Sequence, residues 1–273
     1  MELADLEFGL KAVASGGNVL NISELTGVQA GLTVLKAKDN YKSIYFWGKI
    51  YGENADYYLA YGLKDSSEEF PSKSFYVAGA DFDFMALQRP TEEAADNVVM
   101  LGLRKPMSGN ASAPLDLGLP AEETPPESLM SLTEADRLAQ LVLEIDFDTA
   151  VVPKGAHALN EASVVAPSSD FQGLSAPEAT SLDKYVHFRP PTSVEALRAL
   201  ARTDSQFYGN FLDTLDGDLP KGCWAVRQDP GAVVTLRSLT WPGYVAFHVP
   251  GTKKFGGLYF GFASKSRDLP FTL

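Results

Sequence analysis

Residues 43–63, SIYFWGKIYGENADYYLAYGL, constrain this chain more than any other stretch. They read as two strands joined by a short turn, with Tyr51, Gly52, Glu53 and Asn54 supplying the turn chemistry. Strand side chains alternate, so Ile44, Phe46, Gly48 and Ile50 are expected on one face and Tyr45, Trp47, Lys49 and Tyr51 on the other. On the return strand Tyr57, Leu59, Tyr61 and Leu63 oppose Asp56, Tyr58, Ala60 and Gly62. Both faces are largely apolar and aromatic, so the hairpin calls for cover on both sides, either by its own core or by a partner.

The flanking sequence supplies that cover. Leu3, Leu6, Leu10 and Val13 fall at helical spacing and Gly16–Gly17 can stop the helix. A second helix follows, with Ser23 as its expected cap, Leu25, Val28, Leu32 and Leu35 on one side, and Lys36 and Lys38 in its last turn. Beyond the hairpin, residues 73–78 and 81–87 read as strands. Residues 104–131 then carry five prolines and few large apolar side chains, and are expected to form an extended or disordered surface loop. Thr133 and Asp136 make a capping box for a helix reaching about Phe147, whose apolar face carries Leu138, Leu141 and Val142. Residues 149–152 and 184–189 read as extended, and Ser175 and Ser193 open short helices, the second with Val194, Leu197, Leu200 and Ala201 on one side. Strands at 223–228, 232–239, 244–249 and 255–263, separated by Pro/Gly turns, make an antiparallel meander. In its last strand Leu258, Phe260 and Phe262 are expected to share a packed face. The expected architecture is one α+β domain over residues 1–273, with N-terminal helices, a central hairpin, a C-terminal meander and an inserted proline-rich loop.

Composition narrows function by exclusion. Hydrophobic content of 45% with 21% charged residues is that of a globular chain. A formal charge of -12 argues against nucleic acid, which needs an electropositive footprint, and against an anionic membrane surface. No apolar run reaches the about 18 residues a membrane span needs, and the opening MELADLEFGLKAVASGG lacks the basic start of a secretory signal. The single Cys223 has no disulfide partner within the chain, as is usual in a reducing compartment, so a cytosolic setting is expected.

The chemistry-bearing residues are sparse. His157, His187 and His248 stand apart, without Cys, Asp or Glu at metal-ligand spacing. Asp81 and Asp83 share a strand face but lie in no acid–base motif, and the glycines of 255–261 lack the Lys-Ser/Thr of a phosphate loop. No catalytic, cofactor or metal site is therefore expected. The rival reading is a cytosolic enzyme or small-ligand domain, which requires His187, Cys223 and His248 to converge in a pocket. Interaction surfaces are the stronger carrier of function, with Trp47, Tyr57, Trp241, Tyr244 and Tyr259 as candidate partner-facing residues. Trp241 precedes Pro242–Gly243–Tyr244 in a rigid turn, where it either packs over the sheet or is offered to a partner.

The hairpin also carries a resemblance. Phe46-Trp47-Gly48-Lys49-Ile50, then Asp56-Tyr57-Tyr58 and Gly62-Leu63, is similar to the signature hairpin of the radial spoke head protein 9 family, and a related hairpin occurs in radial spoke head 4 and 6 proteins. Further segments resemble the protein 9 family specifically and in order: Val152-Pro153-Lys154-Gly155-Ala156, His187-Phe188-Arg189 with Pro191, Leu219-Pro220-Lys221-Gly222 with Trp224, Leu236-Arg237-Ser238-Leu239 with Trp241-Pro242-Gly243, and Asp268-Leu269-Pro270-Phe271 with Leu273. Residues 104–131 match no family pattern. The resemblance implies a non-enzymatic structural subunit of the radial spoke head in the axoneme of motile cilia or flagella, part of the cytoskeleton. It implies packing with radial spoke head 4 and 6 type proteins and other spoke head subunits, transient contact with the central apparatus, and no cofactor.

Overall fold

The computed structural model describes residues 1–64, 70–117, 127–160, 164–201, 211–228 and 233–272. The hairpin is β1 (Ile44–Ile50) and β2 (Tyr57–Lys64), and it sits inside an eight-stranded sheet. On one side β3 (Ser72–Ala78) and the two-residue β4 (Met85–Ala86) extend it. On the other, β1 runs parallel to β12 (Phe255–Gly261), the last strand of the expected meander with β9 (Trp224–Gln228), β10 (Val234–Ser238) and β11 (Tyr244–His248). The spatial order is β4-β3-β2-β1-β12-β11-β10-β9. The parallel junction is a feature of the sheet that no local pattern announces.

A bulge in β1 redraws the expected faces. Pairing passes from Phe46 opposite Ala60 to Gly48 opposite Leu59, so Trp47 has no partner of its own on β2. Ile44 and Phe46 join Tyr58 and Ala60 on one side, while Trp47 and Ile50 join Tyr57 and Leu59 on the other. Ile50 therefore leaves the Ile44 face to which strict alternation assigns it. Gly48 next to the bulge lets β12 approach: a Cβ there would lie 2.1 Å from the Tyr259 carbonyl oxygen.

The Ile44 side is covered by α1 (Leu6–Val13) and α2 (Ile22–Lys38), through Leu6, Leu10, Val13, Val28, Leu32 and Leu35. Gly17, with φ of 82°, ends the first helical stretch as expected. The cap of α2 is Asn21 rather than Ser23. Its side chain accepts from the Glu24 amide at 2.8 Å while the Glu24 carboxylate accepts from the Asn21 amide at 2.8 Å. Of residues 81–87 only Met85 and Ala86 pair as strand; Phe82 instead adopts φ of 56° and its ring lies against Gly27 of α2, with Phe84 over Gly31.

The Trp47 side is covered by α5 (Glu134–Thr149), capped by Thr133 and Asp136 as expected and extending to Thr149. It runs into β5 (Val151–Pro153), which pairs with β8 (Tyr185–His187). β6 (His157–Leu159) and β7 (Val165–Pro167) form a small separate hairpin. α3 (Glu92–Leu101), which the sequence reading does not anticipate, packs with α4 (Glu127–Met130) around Val98, Leu115 and Leu132. Residues 118–126 of the proline-rich stretch lie outside the described residues. Its described flanks are held: Met107 is fully buried and bridges Gly52, and Pro114 bridges Thr133. The short helices α6 (Ala176–Ala179), α7 (Val194–Leu200) and α8 (Leu269–Thr272) complete the chain. In α7 Val194 and Leu197 are exposed, and Ala196 is the buried residue, so its expected apolar side faces solvent in part. Phe262, expected beside Leu258 and Phe260, is likewise exposed.

Candidate functional site

The five aromatics singled out as candidate partner contacts occupy one seam. Trp47, Tyr57, Trp241, Tyr244 and Tyr259 belong to a single core cluster and expose at most 7% of their surface. None presents its ring to solvent, because α5 and β5 cover the face of the sheet on which they lie. Trp47 and Tyr259 rings lie 5.3 Å apart.

Their polar tips define what the seam does. Tyr57 donates its hydroxyl to Glu134 Oε1 at 2.6 Å, at the start of α5. Trp47 Nε1 donates to Asp146 Oδ1 at 3.2 Å, and Trp241 Nε1 to Asp148 Oδ2 at 2.8 Å, both in the last turn of the same helix. Tyr244 Oη accepts from the Val151 amide at 3.2 Å, where β5 begins. Tyr259 Oη accepts from the Ala263 amide at 2.9 Å and so turns the chain after β12. Four of the five side chains thus tie the sheet to one continuous segment, α5 and β5. Buried aromatic rings with a satisfied polar end fix position as well as supplying apolar area.

Cations close the same seam. Lys73 Nζ reaches Asp146 Oδ2 at 2.5 Å and lies over the Tyr61 ring, while Lys265 pairs with Glu144 and Asp148 and lies over Trp241. Glu134 accepts from the amides of Ser108 and Gly109 as well as from Tyr57. Burial would raise its pKa, but these donors hold the carboxyl below the ordinary range. The Tyr57 hydroxyl is pushed up by burial and by Glu134, so it remains a donor. On the opposite face Lys49 of the FWGKI segment bridges Glu24 of α2 at 2.7 Å and Asp56 at 2.8 Å. Burial alone would lower its pKa, yet its bonds with Asp56 and Glu24 raise it above the ordinary lysine value.

The residues of the rival pocket have separate structural duties. His187 Nε2 lies 2.9 Å from Asp218, which also accepts from Trp224 Nε1 at 2.7 Å. His248 Nε2 accepts from the Leu174 amide at 3.1 Å and its Nδ1 lies 3.2 Å from the Lys254 carbonyl, so backbone groups occupy both ring nitrogens. Cys223 is buried, and burial followed by Asp218 pushes its thiol up, away from thiolate chemistry. A depression of about 340 Å³ opens elsewhere, lined by Tyr51, Pro242, Gly243, Phe260, Phe262 and Ser266 among others, and includes none of the three. Asp81 and Asp83 are exposed. Among the described residues no group of three or more His, Cys, Asp or Glu side chains is placed to hold a metal ion, and no helix is long and apolar enough to cross a membrane.

The sequence reading found the aromatics but not their acceptors. Glu134, Asp146 and Asp148 look like ordinary solvated acids of a helix, and the aromatic donors lie far from them along the chain.

No family model matches the chain. Individual relatives do, from end to end. The radial spoke head protein 9 homolog of Danio rerio is 33% identical over 280 residues, that of Homo sapiens 32% over 278 and that of Mus musculus 30% over 278. Each alignment takes in 100% of both chains. With similarity of this depth over the full length of both chains, the chain belongs to the radial spoke head protein 9 family.

Proposed function

We propose that this radial spoke head protein is a non-enzymatic structural subunit, seated in the spoke heads of the axoneme in motile cilia or flagella, within the cytoskeleton of the cytoplasm. It packs there with radial spoke head 4 and 6 type proteins and other head subunits, and helps pass mechanical load between the spoke and the central apparatus. The observation that carries this reading is the end-to-end similarity to radial spoke head protein 9 homologs. The fold is consistent with the work: a sheet clamped on both faces, with its aromatic tips and buried cations paired internally, transmits force without rearranging.

Recovery from detergent-extracted axonemes tests the assignment. A tagged full chain is expected to co-purify with radial spoke head 4 and 6 type subunits through spoke dissociation steps. Recovery of the tagged chain alone, from axonemes whose spoke heads remain intact, would refute it. The charge of -12 adds an expectation about kinetics: an acidic face disfavours lasting adhesion to acidic neighbours and keeps contact with the central apparatus brief. Replacing exposed Asp81 and Asp83 by Asn should prolong that contact and flatten its salt dependence; unchanged binding at every ionic strength contradicts this part of the reading.

A further inference from the structure

α3 is two-sided in an unusual sense. Its inner face carries Val98, which is buried, with Ala94 and Leu101 packed against the same small cluster as Leu115 and Leu132. Its outer face runs, at helical spacing, from Glu92 and Glu93 through Asp96 to Val99 and Met100. All five are exposed, Val99 by 59% and Met100 by 75%. Met130, on the α4 helix that packs against α3, is 60% exposed. The outer face is thus acidic at one end and apolar at the other, and α3 contains no lysine or arginine. Acidic residues in a first turn suit the helix N-terminus, which accounts for Glu92 and Glu93. It accounts neither for Asp96, a turn further on, nor for three large apolar side chains left in water.

We propose that this face is a docking site for an amphipathic helix of a partner chain that carries lysine or arginine beside its apolar stripe. The partner's apolar side chains cover Val99, Met100 and Met130, and its cations meet Asp96, Glu92 and Glu93. Methionine suits such a surface because its flexible thioether adapts to the contour laid on it. Helix-in-groove recognition supplies the geometry, and the charge pattern sets the polarity of docking. A second copy of this chain is the wrong occupant, since it brings the same acids and a net charge of -12 to the contact. The inference is read out on the isolated full chain and stands or falls apart from the spoke head assignment.

The probe is a synthetic leucine/lysine amphipathic helix of about fourteen residues, long enough to span α3 at roughly 1.5 Å per residue. Its binding is followed by hydrogen exchange and by titration at two salt concentrations. The expected result is protection centred on α3 and α4. Binding should weaken about tenfold in the double variant Val99→Ser with Met100→Ser, and similarly in Glu93→Lys with Asp96→Lys. The control Asp81→Lys with Asp83→Lys changes net charge by the same amount and should leave binding unchanged. All three pairs are exposed, and circular dichroism checks that each variant stays folded; Glu93→Lys, which reverses a charge in the first turn of α3, should lower the melting temperature slightly without unfolding the chain, so a failure to bind reports on the surface. Equal loss in all three pairs means non-specific attraction to an acidic protein and overturns the proposal. So does protection elsewhere, or a dimer in sedimentation that the Val99/Met100 pair abolishes.

Discussion

Asp146 shows how much one acidic side chain can be asked to do in this protein. It accepts from Trp47 Nε1 and pairs with Lys73, whose side chain is only 14% exposed. Replacing Asp146 by Ala leaves both a buried cation and a buried indole N–H without a partner, and breaking such a pair costs on the order of 3 kcal/mol. Trp47→Phe removes only the hydrogen bond and part of the ring, and should cost about half as much. Urea unfolding of the two variants checks the order; equal losses would mean that the ion pair contributes nothing. His157 supplies a pH signature. Its ring packs against Phe188 with centroids 4.3 Å apart, and burial lowers its pKa from 6.5 to about 4. A histidine with a depressed folded pKa favours the folded state while neutral. Its contribution is complete above the unfolded value and is lost as pH falls from about 6.5 towards 4, in total on the order of 3 kcal/mol. Burial also lowers the pKa of His248 and adds to the same window. Glu24, Glu134 and Asp213 have depressed carboxyl pKa values, so their contribution is lost only below the ordinary carboxylate range. Stability should therefore fall in two steps on acidification. His157→Phe, which keeps an aromatic ring against Phe188, should shrink the upper step alone.

At the scale of elements, the joint between β1 and β12 is where local pattern and tertiary structure part company. The β2 faces, the meander turns and the capping boxes of α5 and α6 are legible because each depends on residues a few positions apart. The bulge at Trp47 is not legible, since both faces of β1 are apolar and a slip leaves no polar residue in the wrong place to betray it. The parallel pairing of β1 with β12 joins residues some two hundred positions apart, and only the close approach at Gly48 records it in the sequence. α3 is obscured for a related reason: Val99 and Met100 place apolar residues on its solvent face and blur the helical period, although Thr91 and Gly102 mark its ends. The joint makes a prediction of its own. Gly48→Ala puts a methyl group against the Tyr259 backbone, where no side-chain rotation relieves it, and should destabilise by more than about 2 kcal/mol. Gly251→Ala, at a positive-φ turn where an added methyl group meets nothing, should cost roughly 1 kcal/mol. Thermal melts of the pair would contradict the account if Gly251 proved the more sensitive.

For the whole molecule, function lies in how the layers are locked. Of the five aromatics proposed from sequence as partner contacts, four hold α5 and β5 to the sheet and Tyr259 turns the chain after β12, so a partner would have to meet surface outside that seam. Their residue types were readable from the sequence; their orientation was not, because it depends on acceptors supplied by a distant helix. On the proposed function the chain contributes shape and stiffness to an assembly, and its loss should be felt by the assembly and not by any reaction. Cryo-electron tomography of axonemes, with the chain removed and then restored with a tag, tests this most directly. The account predicts that removal erases density from the radial spoke head and that the restored chain returns it with the tag at the head. Intact heads in its absence, or a tag on the doublet microtubules instead, would contradict it.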